Sequence, residues 1–138
     1  MDNIVTFFKL LFFLNTSLLT PVPIEIGGEW VTIKPGEPLE AITGGAAIYI
    51  DITNYVKPMD FEEVSKIFPD GSVEGKLITN NGKEVLLSSV GSSHSNESVQ
   101  LIVAGKGPVH TNVEYKEVML KSLVPIKSTN VYWRNGKL

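Results

Sequence analysis

Hydrophobic and polar residues change rhythm once along this chain. Between Met1 and Thr20 apolar residues dominate without a period. Ile4, Val5, Phe7, Phe8, Leu10, Leu11, Phe12, Phe13 and Leu14 would cover every side of a helix, and Lys9 is the single basic residue among them. A surface helix would show a stripe instead. From Glu29 onward the period is two, in short β-branched runs separated by Gly, Pro and Asn-Gly, which is the signature of strands and turns.

Several strands follow from that alternation. Trp30 to Ile33 is closed by Lys34-Pro35-Gly36, and Pro38 to Ile42 reads as an edge segment because Pro38 cannot donate to a ladder. Ala46 to Tyr55 is the strongest run: Ile48, Ile50 and Ile52 share one face, while Tyr49, Asp51 and Thr53 share the other. Val73 to Thr79 and Lys83 to Ser89 flank Asn81-Gly82, which predicts a hairpin with a type I′ turn. Ser98 to Ala104, Asn112 to Ser122 and Thr129 to Arg134 complete the set, with a register change expected near Glu117. Gly91 to Ser98 reads as a polar loop. Asp60, with Glu63 three residues on, predicts an N-capped helix of one or two turns ended by Pro69-Asp70-Gly71.

Seven or eight short strands with one helical turn and no βαβ alternation predict a mainly β protein. The expected architecture is an antiparallel β-sandwich of immunoglobulin-like or related topology, preceded by an apolar N-terminal helix. The expected division is 1–28 as signal peptide or membrane anchor and 29–138 as the β-sandwich domain.

The leader has three readings. As a helix, Ile4 to Leu19 would be roughly 24 Å long, short for a hydrocarbon core of about 30 Å. As a signal peptide it has an apolar centre at Leu10 to Leu19. Ile26-Gly27-Gly28 is its nearest approach to a cleavage site, and Asp2 offsets its basic start. The third reading is a helix buried in the domain itself. The first two put the protein outside the cytoplasm, in the periplasm, at the cell surface or secreted, with membrane association through Ile4 to Leu19 if the segment is kept.

Composition narrows the chemistry. The chain has 138 residues, 43% hydrophobic and 20% charged, a size and balance that support a packed core. Its net charge is −3 and Arg134 is its one arginine, so the basic excess of a nucleic-acid binder is missing. Without cysteine there is no disulfide framework, thiolate metal site, thiol catalysis or lipidated N-terminal cysteine.

No catalytic set emerges. His94 and His110 stand in separate loops without nearby acids, and Ser93-His94-Ser95 lacks an orienting carboxylate. Gly105-Lys106-Gly107-Pro108 is a turn, since a phosphate loop needs GxxxxGK[ST] before a helix. Asp60, Glu62 and Glu63 lack the alternating spacing of a calcium loop. The acceptor pattern at Asn96-Glu97-Ser98 matters only in a eukaryotic secretory pathway. No metal or cofactor is expected, and the chain is not expected to be an enzyme.

Two features point to binding. Lys121, Lys127, Arg134 and Lys137 form a basic C-terminal stretch without an acid among them. Tyr49, Tyr55, Tyr132 and Trp133 lie on strands, where partly exposed aromatics mark binding surfaces. Tyr49, Asp51, Tyr132 and Arg134 are therefore the candidate binding residues, with Asp51 also readable as a guard against edge pairing. The expected function is a non-enzymatic exported protein that binds another protein at the cell envelope. The alternatives are a small-ligand or glycan-binding module, a structural subunit assembling by strand addition, and a hydrolase using a serine and His94.

Overall fold

Alternation of the kind seen in Ile48-Tyr49-Ile50 lets a strand bury one face, and the backbone groups of such a strand must then find partners beside it. In the computed structural model, which describes residues 16–41, 44–105, 111 and 113–135, those partners are all antiparallel strands. In chain order they are β1 (Thr16–Leu18), β2 (Ile24–Ile26), β3 (Val31–Ile33), β4 (Leu39–Glu40), β5 (Ala47–Asp51), β6 (Val73–Thr79), β7 (Glu84–His94), β8 (Val99–Gly105), β9 (Glu114–Ser122), β10 (Ile126–Thr129) and β11 (Val131–Arg134). The helix α1 (Phe61–Ile67) follows Asp60, whose carboxylate accepts from the Glu63 N–H at 3.1 Å. The protein is mainly β.

Hydrogen bonding joins the strands into one continuous sheet in the order β1-β11-β5-β8-β7-β6-β9-β3, with β4 also paired to β9. A two-stranded ribbon, β2 with β10, stands apart. Two separately hydrogen-bonded layers of a sandwich are thus not what the pairing gives. A single sheet wraps the core instead, and it is strongly curled.

The cause of the curl is local. Gly75 faces inward in the middle of β6, and an added Cβ there would stand 3.3 Å from Leu87 Cβ, Val103 Cγ1 and Leu120 Cδ2. Those three atoms belong to β7, β8 and β9, so β8, two strands away, folds inward over β6. Leu87 is flanked in register by Gly75 on one side and Gly105 on the other. A row of glycine, leucine and glycine lets the sheet bend tightly at that point. The β7–β8 register also shifts between Ser89 and Gly91, a bulge that adds further bend. Across the core the far strands meet: the Trp133 ring of β11 lies 6.1 Å from that of Tyr115 on β9, and its Nε1 donates to the Glu40 carbonyl of β4 at 3.3 Å.

Inside the curl, Ile48, Ile50, Ile52, Val73, Val99, Val103, Tyr115, Val118 and Leu120 are fully buried or nearly so. The run expected to be strongest therefore supplies the centre of the core. The bulge expected near Glu117 is present: Ile78 pairs with Glu117 but Thr79 pairs with Tyr115, leaving Lys116 as the extra residue.

Three local expectations are corrected. The hairpin between β6 and β7 forms, but its turn is not type I′. The Gly82 N–H donates to the Thr79 carbonyl at 2.9 Å, the Thr79 N–H donates to the Lys83 carbonyl, and Gly82 alone has positive φ (87°), because among described non-glycine residues only Met59 does. This is a three-residue loop, a type I turn followed by a left-handed glycine. The stretch from Gly91 to His94 is not loop: β7 continues to His94, and only residues 95–98 turn. Finally, Thr16–Leu18 is a strand on β11 rather than the end of a helix. The remainder of the expected apolar helix, residues 1–15, lies outside the described residues, as do Lys106 to His110.

Residues 16–28, expected to belong with the leader, are built into the domain. The Leu19 N–H donates to the Val131 carbonyl at 2.8 Å, and the Val131 N–H donates to Thr20 Oγ1 at 3.1 Å. Ile26 of β2 is fully buried, and the Gly27 carbonyl accepts from the Ser122 N–H. Among the described residues no helix is long and apolar enough to cross a membrane.

Candidate functional site

A strand that buries alternate residues presents the rest outward. On β11, Val131 and Trp133 are buried, so Tyr132 and Arg134 face out; on β5, Ile48 and Ile50 are buried, so Tyr49 faces out. Register then aligns these residues into a row. Leu18 pairs with Tyr132, Tyr132 with Tyr49, and Tyr49 with Ile102, across β1, β11, β5 and β8. Ile102 in turn pairs with Gly91, next to the exposed Val90 of the β7 bulge.

Directly paired side chains in an antiparallel sheet are close neighbours, so this is a contiguous apolar and aromatic band. Arg134 lies diagonally across it. Its guanidinium stands 4.8 Å from the Tyr49 ring centroid, and its Nε donates to Thr16 Oγ1 at 3.4 Å. The arginine thus lies against the band, and among the described residues its side-chain hydrogen bond is to Thr16.

Of the four candidate residues, Tyr49, Tyr132 and Arg134 come together. Asp51 lies two residues along the same face of β5 from Tyr49. Its Oδ1 accepts from the Thr53 N–H at 2.9 Å and from the Thr53 hydroxyl, closing the turn after β5. It does not guard an edge, since β5 lies between β11 and β8. Leu18, Ile102 and Val90 were missed as surface residues. The alternation of β8 could have supplied Ile102, whereas Leu18 was hidden inside the apolar leader.

The basic C-terminal stretch divides in the fold. Lys121 forms an ion pair with Glu74 at 3.2 Å, and Lys76 pairs with Glu84 at 3.6 Å. Both ammonium groups lie over the Trp30 ring, 4.7 and 4.6 Å from its centroid. Lys121 is therefore balanced by an acid that is remote in sequence. Beside it lies a cleft of about 170 Å³ lined by residues including Gly28, Gly71, Ser72 and Leu123, on the β6–β9 part of the sheet rather than at Tyr49 and Tyr132.

His94 has the outline of a catalytic pair but the wrong proton. Ser92 Oγ stands 2.8 Å from Nε2, while Nδ1 accepts the Met59 backbone N–H at 2.9 Å. An accepting Nδ1 in a neutral ring places the proton on Nε2, which then donates to Ser92. Such an imidazole cannot take the serine proton, and a backbone amide holds the position where a triad has its carboxylate. Among the described residues no group of three or more acidic, histidine or cysteine side chains could hold a metal ion.

No family model matches the chain, and neither a curated protein nor a solved structure does.

Proposed function

We propose that this is a non-enzymatic, exported accessory protein that binds another protein at the cell envelope through the outer face of β1, β11, β5 and β8. The observation that carries the reading is the band Leu18–Tyr132–Tyr49–Ile102 with Arg134 laid across it. Tyrosine and arginine are enriched in protein interfaces because they offer large area and directed hydrogen bonds at low entropic cost. In finer detail, the halves of the curled sheet that meet at Trp133 and Tyr115 act as the two layers of a sandwich. Export rests on the Phe-rich residues before Thr16. A signal peptide cut after Gly28 would strip β1 and β2 from the domain, so on this reading any cut falls at or before Asn15.

The test is site-directed photo-crosslinking in the native envelope fraction. A crosslinker at Tyr132 or Ile102 is expected to yield one discrete adduct that is lost with Tyr49→Ala. A crosslinker at Thr32, on the opposite side of the sheet order, is expected to yield none. Equal labelling from all three positions, or a protein confined to the cytosol, would end this reading.

A second reading, strand addition, is favoured by β1. Among the described residues it is an edge strand with all three residues exposed, and no described strand pairs with its outer side.

A further inference from the structure

The histidine that cannot serve as a base is placed to sense protons. We propose that His94 is a proton-operated latch holding the Lys57–Phe61 segment against the end of β7. Four observations converge on the ring. The Met59 N–H donates to Nδ1 at 2.9 Å, Nε2 is 2.8 Å from Ser92 Oγ, and the Phe61 ring packs at a tilt of 46° with its centroid 4.1 Å away. Met59 itself adopts φ 70°, a left-handed conformation that costs a non-glycine residue energy and needs a tether.

The bond to Met59 requires a lone pair on Nδ1. When the imidazole gains its second proton, two N–H groups face each other and the tether is lost. Among the described residues no other bond to the ring replaces it. The charged side chains on the facing segment are Lys57, Asp60, Glu62 and Glu63, and Glu97 lies in the turn after β7. Among the described residues none forms an ion pair with His94 that would hold the charged ring in place. One oxygen of Asp60, Oδ1, accepts from the Glu63 N–H. Acidification therefore releases the segment, and α1 loses the support at its start.

The experiment uses the full chain, with ring nitrogen shifts of His94 and the exchange protection factor of the Met59 amide followed from pH 8 to pH 5. At pH 8 the ring proton is expected on Nε2. Protection at Met59 is expected to fall about five- to tenfold on acidification, the equivalent of one hydrogen bond. His94→Asn supplies an oxygen where Nδ1 stands and carries no ionisable ring, so its Met59 protection is expected to stay level. A proton on Nδ1 at pH 8, unchanged Met59 protection in the wild type, or the same acid loss in His94→Asn would each overturn the latch. The first two readouts need no variant.

Discussion

Adding a methyl group at Gly75 tests the tight curl directly. In an ordinary half-buried strand, Gly→Ala gains about 0.5–1 kcal/mol from lower chain entropy and about 0.8 kcal/mol from burying a methyl. At Gly75 the new Cβ would have three carbon neighbours at 3.3 Å. Unstrained carbon contacts lie at about 3.5–4.0 Å. Val103 Cγ1 and Leu120 Cδ2 sit on side chains that can turn, but Leu87 Cβ is fixed to the main chain of β7 and can yield only if the strand moves. Overpacking of this kind costs about 1–3 kcal/mol, and here all three contacts arise together, which places the cost at the upper end. Gly75→Ala is therefore expected to destabilise by about 1 kcal/mol, or roughly 4 °C in Tm for a domain of this size. Gly75→Val, whose branches enter the same space, is expected to cost at least about 3 kcal/mol. Urea unfolding followed by tryptophan fluorescence measures both. Gly28→Ala is the control, because its Cβ meets nothing within 4 Å, and a change within about 0.5 kcal/mol is expected. A stabilised Gly75→Ala with a tolerated Gly75→Val would show that β8 does not fold over β6.

Further outcomes follow from the turns and the outer face. Gly82→Ala is expected to cost about 1 kcal/mol or more because its φ of 87° suits glycine, and an unchanged thermal unfolding transition would refute a left-handed residue at that position. Asp51→Ala removes the carboxylate that accepts from Thr53 and is expected to lower stability by about 1 kcal/mol in thermal unfolding; a neutral result would show that the turn after β5 does not depend on it. Arg134→Ala is expected to change stability by less than about 1 kcal/mol while abolishing the Tyr132 crosslink, and a large loss of stability would make it a structural residue instead.

Much of the sheet is legible in the chain because strand burial imposes a period of two. Ile48, Ile50 and Ile52, the break near Glu117 and the Asp60 cap are each local signals, and each has its structural counterpart. What stays hidden depends on partners remote in sequence. Thr16–Leu18 pairs with β11 at the opposite end of the chain, and an apolar run reads equally well as helix or strand until that partner is known. Gly91 to His94 looks like loop by composition, yet its pairing with β8 holds it extended. The candidate face shows the same division. Alternation puts Tyr49 and Tyr132 outward, but only register makes them neighbours, and register also gives Lys121 the acidic partner Glu74.

That Thr16 to Gly28 belong to the globule, with β1 in the curled sheet and β2 in the ribbon beside it, is tested most directly by unfolding two shortened chains. One begins at Thr16 and the other at Glu29. The first is expected to unfold in a single cooperative transition. The second loses buried Leu19 and Ile26 and the hydrogen bonds of Thr20 and Gly27. Burial of two such side chains is worth about 3–6 kcal/mol, a large share of a typical domain's stability of about 5–15 kcal/mol. The chain from Glu29 is accordingly expected to be mostly unfolded or lacking a sharp transition; equal stability of the two chains would place Thr16 to Gly28 outside the domain and return those residues to the leader.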